Sequence, residues 1–213
     1  MDIVRDWIVA RGIVLPEGAF ELMEGFRDRV LETNRVMNLT RITGEAEFAL
    51  RHFVDSLSLL PFLPPVGEIS LLDVGTGAGF PGVPLKIARP DITLTLLDAT
   101  RKRLDFLQKS LAELGIPALI IHARAEELPR LQPTLQYNII TARAVARLDK
   151  LAQYTLPLLA PKGFLLAMKG PNTTEEVNQA RPTIKRHQAK ITSITKIPLT
   201  PTQTHTLIKI TKN

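Results

Sequence analysis

The stretch Leu71-Leu72-Asp73-Val74-Gly75-Thr76-Gly77-Ala78-Gly79-Phe80-Pro81-Gly82 decides the fold. An apolar run from Ile69 ends in Asp73-Val74, a glycine-rich turn follows, and a helix is expected over residues 82–88. Strand, glycine turn and helix together open a parallel α/β sheet. Two glycine registers overlap in this segment. Gly77, Gly79 and Gly82 fit the dinucleotide spacing G-x-G-x-x-G, whereas Asp73, Gly75, Gly77 and Gly79 fit D-x-G-x-G-x-G. A dinucleotide fingerprint needs its first glycine at the turn leaving the strand. That turn begins at Gly75, so the register that starts at Gly77 is displaced from it.

Downstream, residues 92–97 read as a second strand ending at Asp98. Residues 101–114 read as a helix with Leu104, Leu107, Leu111 and Leu114 on one face and Gly115 at its C-cap. Further strands are expected at 118–121, 138–141 and 163–168, with helical segments between them. Residues 191–197 and 206–210 read as a hairpin joined across 198–204. Upstream, residues 3–11, 17–35 and 45–60 read as helices; in the second, Phe20, Met23, Phe26, Val30 and Leu31 recur at helical spacing. The proline-rich run 61–67 cannot continue a helix. The expected organisation is a helical N-terminal extension, residues 1–66, and an α/β domain, residues 67–213. Its sheet is Rossmann-like, mostly parallel, and finished by an antiparallel hairpin.

Composition narrows the chemistry. The chain has 213 residues, 45% hydrophobic and 23% charged, which suits a soluble globular protein. It contains no cysteine, which excludes disulfides, Cys-based zinc sites, iron–sulfur clusters and every thiolate nucleophile. No metal is expected. The N-terminus Met1-Asp2-Ile3-Val4-Arg5-Asp6 is charged where a signal peptide needs an apolar core, and no apolar stretch is long enough to span a bilayer. A cytoplasmic protein, monomeric by default, is the expectation. The charge is uneven: residues 1–66 carry a net −3 and residues 67–213 a net +9. A basic lobe suits a polyanion such as nucleic acid, or simply a well-solvated surface.

The D-x-G-x-G-x-G register fits S-adenosylmethionine. Glycines permit close backbone approach, and a helix N-terminus can receive a carboxylate. The cationic amino group and sulfonium favour a nearby acid, and Asp73 is placed to serve directly or through water. Asp98, ending the next strand, suits the ribose hydroxyls. Ala99 and Thr100 follow on the same loop and border the expected adenosine position. Ala125 and Glu126 follow the third strand, where an N–H or carboxylate could meet the adenine edge; Glu126 equally suits a helix start.

Missing motifs narrow the acceptor. Methylation of pyrimidine C5 requires a thiolate. Exocyclic amino methylases follow the fourth strand with an acidic or polar residue, two prolines and an aromatic, and here the chain reads Ile139-Ile140-Thr141-Ala142-Arg143. No Lys-Asp-Lys-Glu set for a ribose hydroxyl is evident. Ring nitrogens, proteins and small molecules remain. Guanine N7 carries an exposed lone pair and no proton, so it needs no general base. The target base must be unstacked, at a cost of roughly a few kcal/mol.

These residues resemble the RsmG family (glucose-inhibited division protein B), bacterial 16S rRNA guanine-N7 methyltransferases. The likeness runs through Asn38-Leu39-Thr40, Arg51-His52-Phe53-Val54-Asp55-Ser56, the segment 73–85, Leu97-Asp98, Arg124-Ala125-Glu126-Glu127, Arg143-Ala144 and Lys169-Gly170. The resemblance implies a class I S-adenosylmethionine-dependent methyltransferase acting on one guanine in the decoding-region loop of 16S rRNA, with the small ribosomal subunit as partner. It implies cofactor contacts at Gly75, Gly77, Phe80, Asp98, Ala99, Thr100, Ala125, Glu126 and Arg143, the last facing either the cofactor carboxylate or the RNA. His52, at i, i+3 from Asp55, is implied at the joint between lobes or the substrate entrance. Lys169 is a candidate contact to an RNA phosphate or guanine, and Lys185 and Arg186 to RNA phosphates. Family members carry an arginine near the start of the last strand, where this chain reads Gln203-Thr204-His205-Thr206. His205, or the basic run Arg181, Lys185, Arg186 and Lys190, would take over part of its role. Rival readings are a methyltransferase for another acceptor, a non-catalytic ribosome-binding factor retaining the pocket, and a nicotinamide-dependent oxidoreductase.

Overall fold

The run of leucines and β-branched residues after Gly67 forms β1 (Ile69–Val74), whose alternate side chains enter two different cores. The computed structural model of the chain describes residues 1–65, 67–200 and 203–213. Val66, placed above at the end of the N-terminal extension, and Pro201 and Thr202, in the expected hairpin connection, lie outside the described residues.

Six more strands join β1: β2 (Ile92–Asp98), β3 (Leu119–His122), β4 (Tyr137–Arg143), β5 (Leu159–Lys169), β6 (Ala189–Pro198) and β7 (Thr204–Lys212). Their order is β3-β2-β1-β4-β5-β7-β6, with β1 to β5 parallel and β7 antiparallel to both neighbours. The strand order reverses between β1 and β4. In open α/β sheets the ligand crevice lies outside the carboxyl ends of the strands at that point.

Helices cover both faces. On one lie α5 (Gly82–Ala88) and α6 (Arg101–Glu113), together with helices preceding the sheet: α1 (Asp2–Val9), α2 (Ala19–Asn34) and α3 (Glu45–Phe48). Met23, Phe26 and Val30 of α2 are wholly buried in one apolar cluster with Leu71, Leu94 and Leu96 of the sheet. The other face carries α7 (Leu128–Leu131), α8 (Leu148–Thr155) and α9 (Thr174–Arg186), packed on Leu72, Val74, Ile140 and Leu165. No described helix is long and apolar enough to cross a membrane.

The third expected helix is not continuous. After α3 the backbone widens into a π-helical segment (Ala49–Val54), returns as α4 (Asp55–Leu57), and ends in a 3-10 turn (Leu60–Phe62). The cause is a shared contact: Phe48, His52 and Phe53 all reach the Phe80 ring, at centroid distances of 5.9, 4.5 and 5.7 Å. Regular 3.6-residue spacing would point those three side chains in more divergent directions.

Candidate active site

The glycine turn is built to leave β1 and return immediately over it. Gly75, Gly77 and Gly79 have φ of 64°, 59° and 98°, a region that side chains other than glycine rarely adopt. A Cβ on Gly79 would stand 2.8 Å from Phe26 and 2.9 Å from Leu107 and Val83, so α2, α5 and α6 close directly on the turn. Thr76 N–H donates to the Leu97 carbonyl at 3.0 Å, and Gly77 N–H donates to Asp98 Oδ2 at 2.9 Å. The ends of β1 and β2 are thereby tied together.

Asp73 is fully buried, and its carboxylate faces inward. Oδ2 accepts hydrogen bonds from Thr76 Oγ1 at 2.6 Å and Gly82 N–H at 3.0 Å, while Oδ1 accepts one from Thr141 Oγ1 at 3.0 Å. Burial pushes it up to about 6 against those three donors. The expectation that Asp73 meets the cofactor's cationic end is corrected here: it braces the turn, the start of α5 and β4. Gly82 is required for this, since a Cβ there would lie 2.9 Å from Asp73 Oδ2.

Among the clefts outside the strand ends, two hold most of the expected site residues. The smaller, about 390 Å³, sits beside the turn and is lined by Gly75, Asp98, Ala99, Thr100, Ala125 and Glu126, among others. Six of the expected cofactor residues therefore meet in one place. Asp98 accepts from Gly77 N–H and from Thr100 N–H at 2.8 Å, with Arg103 at 3.8 Å. One bond to each oxygen leaves lone pairs for further donors. Glu126 is half-exposed, 3.8 Å from Arg124. Gly77 touches this cleft only through its bond to Asp98. The Phe80 side chain turns away from it, 3% exposed and ringed by Phe26, Phe48, His52 and Phe53, so a side-chain contact to the cofactor is ruled out by packing.

The larger cleft, about 900 Å³, lies between the N-terminal helices, the end of β5 and the β6–β7 hairpin. Arg143, Lys169 and His52 all line it, away from the turn. Arg143 Nη1 donates to the Arg51 carbonyl at 2.7 Å and to Asp55 Oδ2 at 3.0 Å. Its Nη2 donates to His52 Nδ1 at 3.1 Å. Because Arg143 can only donate, His52 Nδ1 is the acceptor and the ring proton resides on Nε2, which donates to Thr40 Oγ1 at 2.9 Å. Burial, then the Arg143 charge, push His52 down to about 3, so the imidazole is neutral. Both nitrogens are engaged and the ring stacks on Phe80, so His52 sits where the N-terminal helices join the sheet domain.

Lys169 is similarly committed. Its Nζ donates to the Ala146 carbonyl at 2.5 Å and Glu176 Oε1 at 2.6 Å, and the side chain is 10% exposed. It fastens α9 to the loop after β4 rather than offering a free ammonium to a phosphate. Lys185 and Arg186 stand apart from the clefts. The helix α9 starts beside the end of β5 and runs antiparallel to it, carrying both roughly 18 Å along its axis to the opposite end of the sheet.

His205 does come to the site. Its Nδ1 lies 2.6 Å from Asp55 Oδ1. Burial works to raise Asp55, but His205 and Arg143 outweigh it and hold the carboxyl below the ordinary range. The residue Asp55 thus ties β4 and β7 to α4. Arg51 and Ala144, quoted above among the family motifs without a role, also line this cleft, Ala144 with a left-handed φ of 56°, as does Lys196, which no motif marks. The only local signal for Ala144 is its place directly after the strand that ends in Arg143. Among the described residues, no group of His, Asp or Glu side chains could hold a metal ion.

Comparison with known proteins adds the following. A family model described as rRNA small subunit methyltransferase G matches residues 19–205. The ribosomal RNA small subunit methyltransferase G of Pelotomaculum thermopropionicum is 44% identical over 176 residues, covering 82% of this chain and 74% of its own length. That of Alkaliphilus metalliredigens is 38% identical over 213 residues, covering 99% of this chain and 89% of its own. Among solved structures, magnesium protoporphyrin IX methyltransferase from Synechocystis, with bound S-adenosylmethionine, aligns with a TM-score of 0.63 at 12% identity, over 88% of this chain and 97% of that one. TrmN from Thermus thermophilus aligns at 0.61 and 18% identity, over 79% of this chain and 52% of that one. At these identities the likeness is one of fold.

Proposed function

Since this chain belongs to the rRNA small subunit methyltransferase G family, we propose that it transfers a methyl group from S-adenosylmethionine to N7 of one guanine in the decoding-region loop of 16S rRNA. The observation that carries the cofactor half is the smaller cleft. It sits at the reversal of strand order, with a glycine turn on one side and Asp98 on the other. Its volume falls within the range of small-molecule sites. When bound, the cofactor supplies an electrophilic methyl group on a sulfonium. Asp98 would accept from the ribose hydroxyls, Ala99 and Thr100 would border the adenosine, Ala125 and Glu126 would face the adenine edge, and Gly75 would admit the methionine end.

Acceptor chemistry at N7 agrees with how the carboxylates are used. Asp73, Asp98 and Asp55 are each held by internal donors, and His52 is neutral with both nitrogens bonded. A ring nitrogen with a lone pair and no proton asks only for positioning. The small ribosomal subunit is the proposed partner and the cytoplasm the proposed compartment. The test is to map 7-methylguanosine in 16S rRNA from a strain lacking the gene. Loss of one methyl group in the decoding-region loop, restored by the gene, is expected; an unchanged map would sink the reading.

A further inference from the structure

We propose that the larger cleft receives the unstacked target nucleotide, with Lys196 taking a flanking phosphate and Gln203 and His205 reading the base. This rests on the function proposed above and names the acceptor's seat. Ala144 lines both this cleft and the cofactor cleft, so the two lie side by side at the end of β4. Its walls combine the two surfaces a nucleotide presents. Ile42, Met168, Pro171 and Leu199 bring apolar side chains from three separate segments, suited to the faces of a flat ring. At the rim, Lys196 on β6 is exposed and makes no hydrogen bond or ion pair among the described residues, in contrast to Arg143 and Lys169.

The hairpin wall supplies unmet polar capacity. Gln203 Oε1 and His205 Nε2 are buried without a hydrogen-bond partner among the described residues. His205 Nδ1 faces the Asp55 carboxylate at 2.6 Å, an arrangement that suits the tautomer with its proton on Nδ1 and leaves Nε2 as an acceptor. Two acceptors on one wall call for a base edge bearing two donors. A guanine with N7 turned toward Ala144 presents its N1–H and N2–H₂ on the opposite edge; adenine has no N1–H to offer there. Selection of guanine then follows from which edge is left facing the hairpin.

The test measures binding of the full chain, in the presence of S-adenosylmethionine, to 30S subunits from a strain lacking the gene. Lys196→Ala should weaken binding about fivefold and reduce the salt slope by about one. Gln203→Ala should weaken it about fivefold with the salt slope unchanged, as expected of a base contact. The double variant Lys185→Ala/Arg186→Ala, at the far end of α9, should bind within about twofold of the parent. Parent-like binding by both cleft variants, or a larger loss in the α9 double variant, would overturn the proposal. Methyl transfer by the parent protein is read on the same subunits, so a wrong acceptor shows as unlabelled RNA and a wrong cleft as misplaced binding defects.

Discussion

Asp73 accepts three hydrogen bonds inside a wholly buried pocket, so its deletion strands three donors at once. Asp73→Ala should cost at least about 3 kcal/mol of unfolding free energy, whereas Asp73→Asn, which keeps an acceptor oxygen, should cost about 1 kcal/mol. Equilibrium denaturation of both variants checks the ranking. The glycines separate in the same way. Gly79→Ala meets backbone strain and three side chains within 2.9 Å, and should lose about 3 kcal/mol or more; Gly77→Ala, whose added Cβ would lie 4.0 Å from the Gly75 carbonyl, should lose only the roughly 1–2 kcal/mol of a left-handed alanine. His52 makes a prediction in pH. Its folded value, about 3, lies below the ordinary 6.5, so the unfolded chain binds the proton first as pH falls. The stability it contributes is complete above 6.5 and is lost toward 3, at about 1.4 kcal/mol per pH unit. Asp73, raised to about 6, works oppositely: its contribution is lost as pH rises through that value. Comparing the parent with His52→Gln cancels the Asp73 contribution, and the parent should show the steeper fall between pH 6 and 4.5. Equal slopes would mean that His52 titrates normally. At this scale the sequence revealed which residues matter better than what they do. The glycines are local signals; the partners of Asp73, His52 and Lys169 lie at Thr141, Arg143 and Glu176, reached only through the fold.

Among elements, the π-helical segment and α4 act with the ends of β4 and β7 as one assembly, because Asp55 holds Arg143 at 3.0 Å and stands 2.6 Å from His205. Asp55→Ala should destabilise the protein by about 3 kcal/mol by leaving the buried Arg143 guanidinium without its counter-charge and His205 without its neighbour. The double variant Asp55→Ala/Arg143→Met should lose less than the sum of the single losses, as coupled groups do. Additive losses measured by denaturation would show that the three elements are energetically independent. The strands and the hairpin were legible because alternation and glycine punctuation are short-range. The π-helical segment was not, since its cause is the Phe80 ring contributed by another part of the chain. The distance of Lys185 and Arg186 from the clefts was legible too. A helix following a parallel strand must return along the sheet, and its C-terminus therefore ends opposite the strand's carboxyl end.

For the molecule as a whole, the sheet order turns a chain of net charge +6 into a protein with two adjoining clefts at one end. Family and architecture were legible because the glycine turn, Asp98 and the strand–helix alternation sit close together in sequence. The second cleft was not, since Ile42, Met168 and Leu199 converge only after folding. If the smaller cleft is the cofactor's, S-adenosylmethionine at a hundred times its Kd should raise unfolding free energy by about 2.7 kcal/mol, and NAD should leave it unchanged. Thermal unfolding with each compound distinguishes them. The central claim is transfer of a methyl group to guanine N7, and its most direct test uses purified protein, methyl-labelled S-adenosylmethionine and 30S subunits from a strain lacking the gene. The account predicts one labelled 7-methylguanosine, mapped to the decoding-region loop of 16S rRNA; label on any other atom or nucleotide, or rRNA left unlabelled, would contradict it.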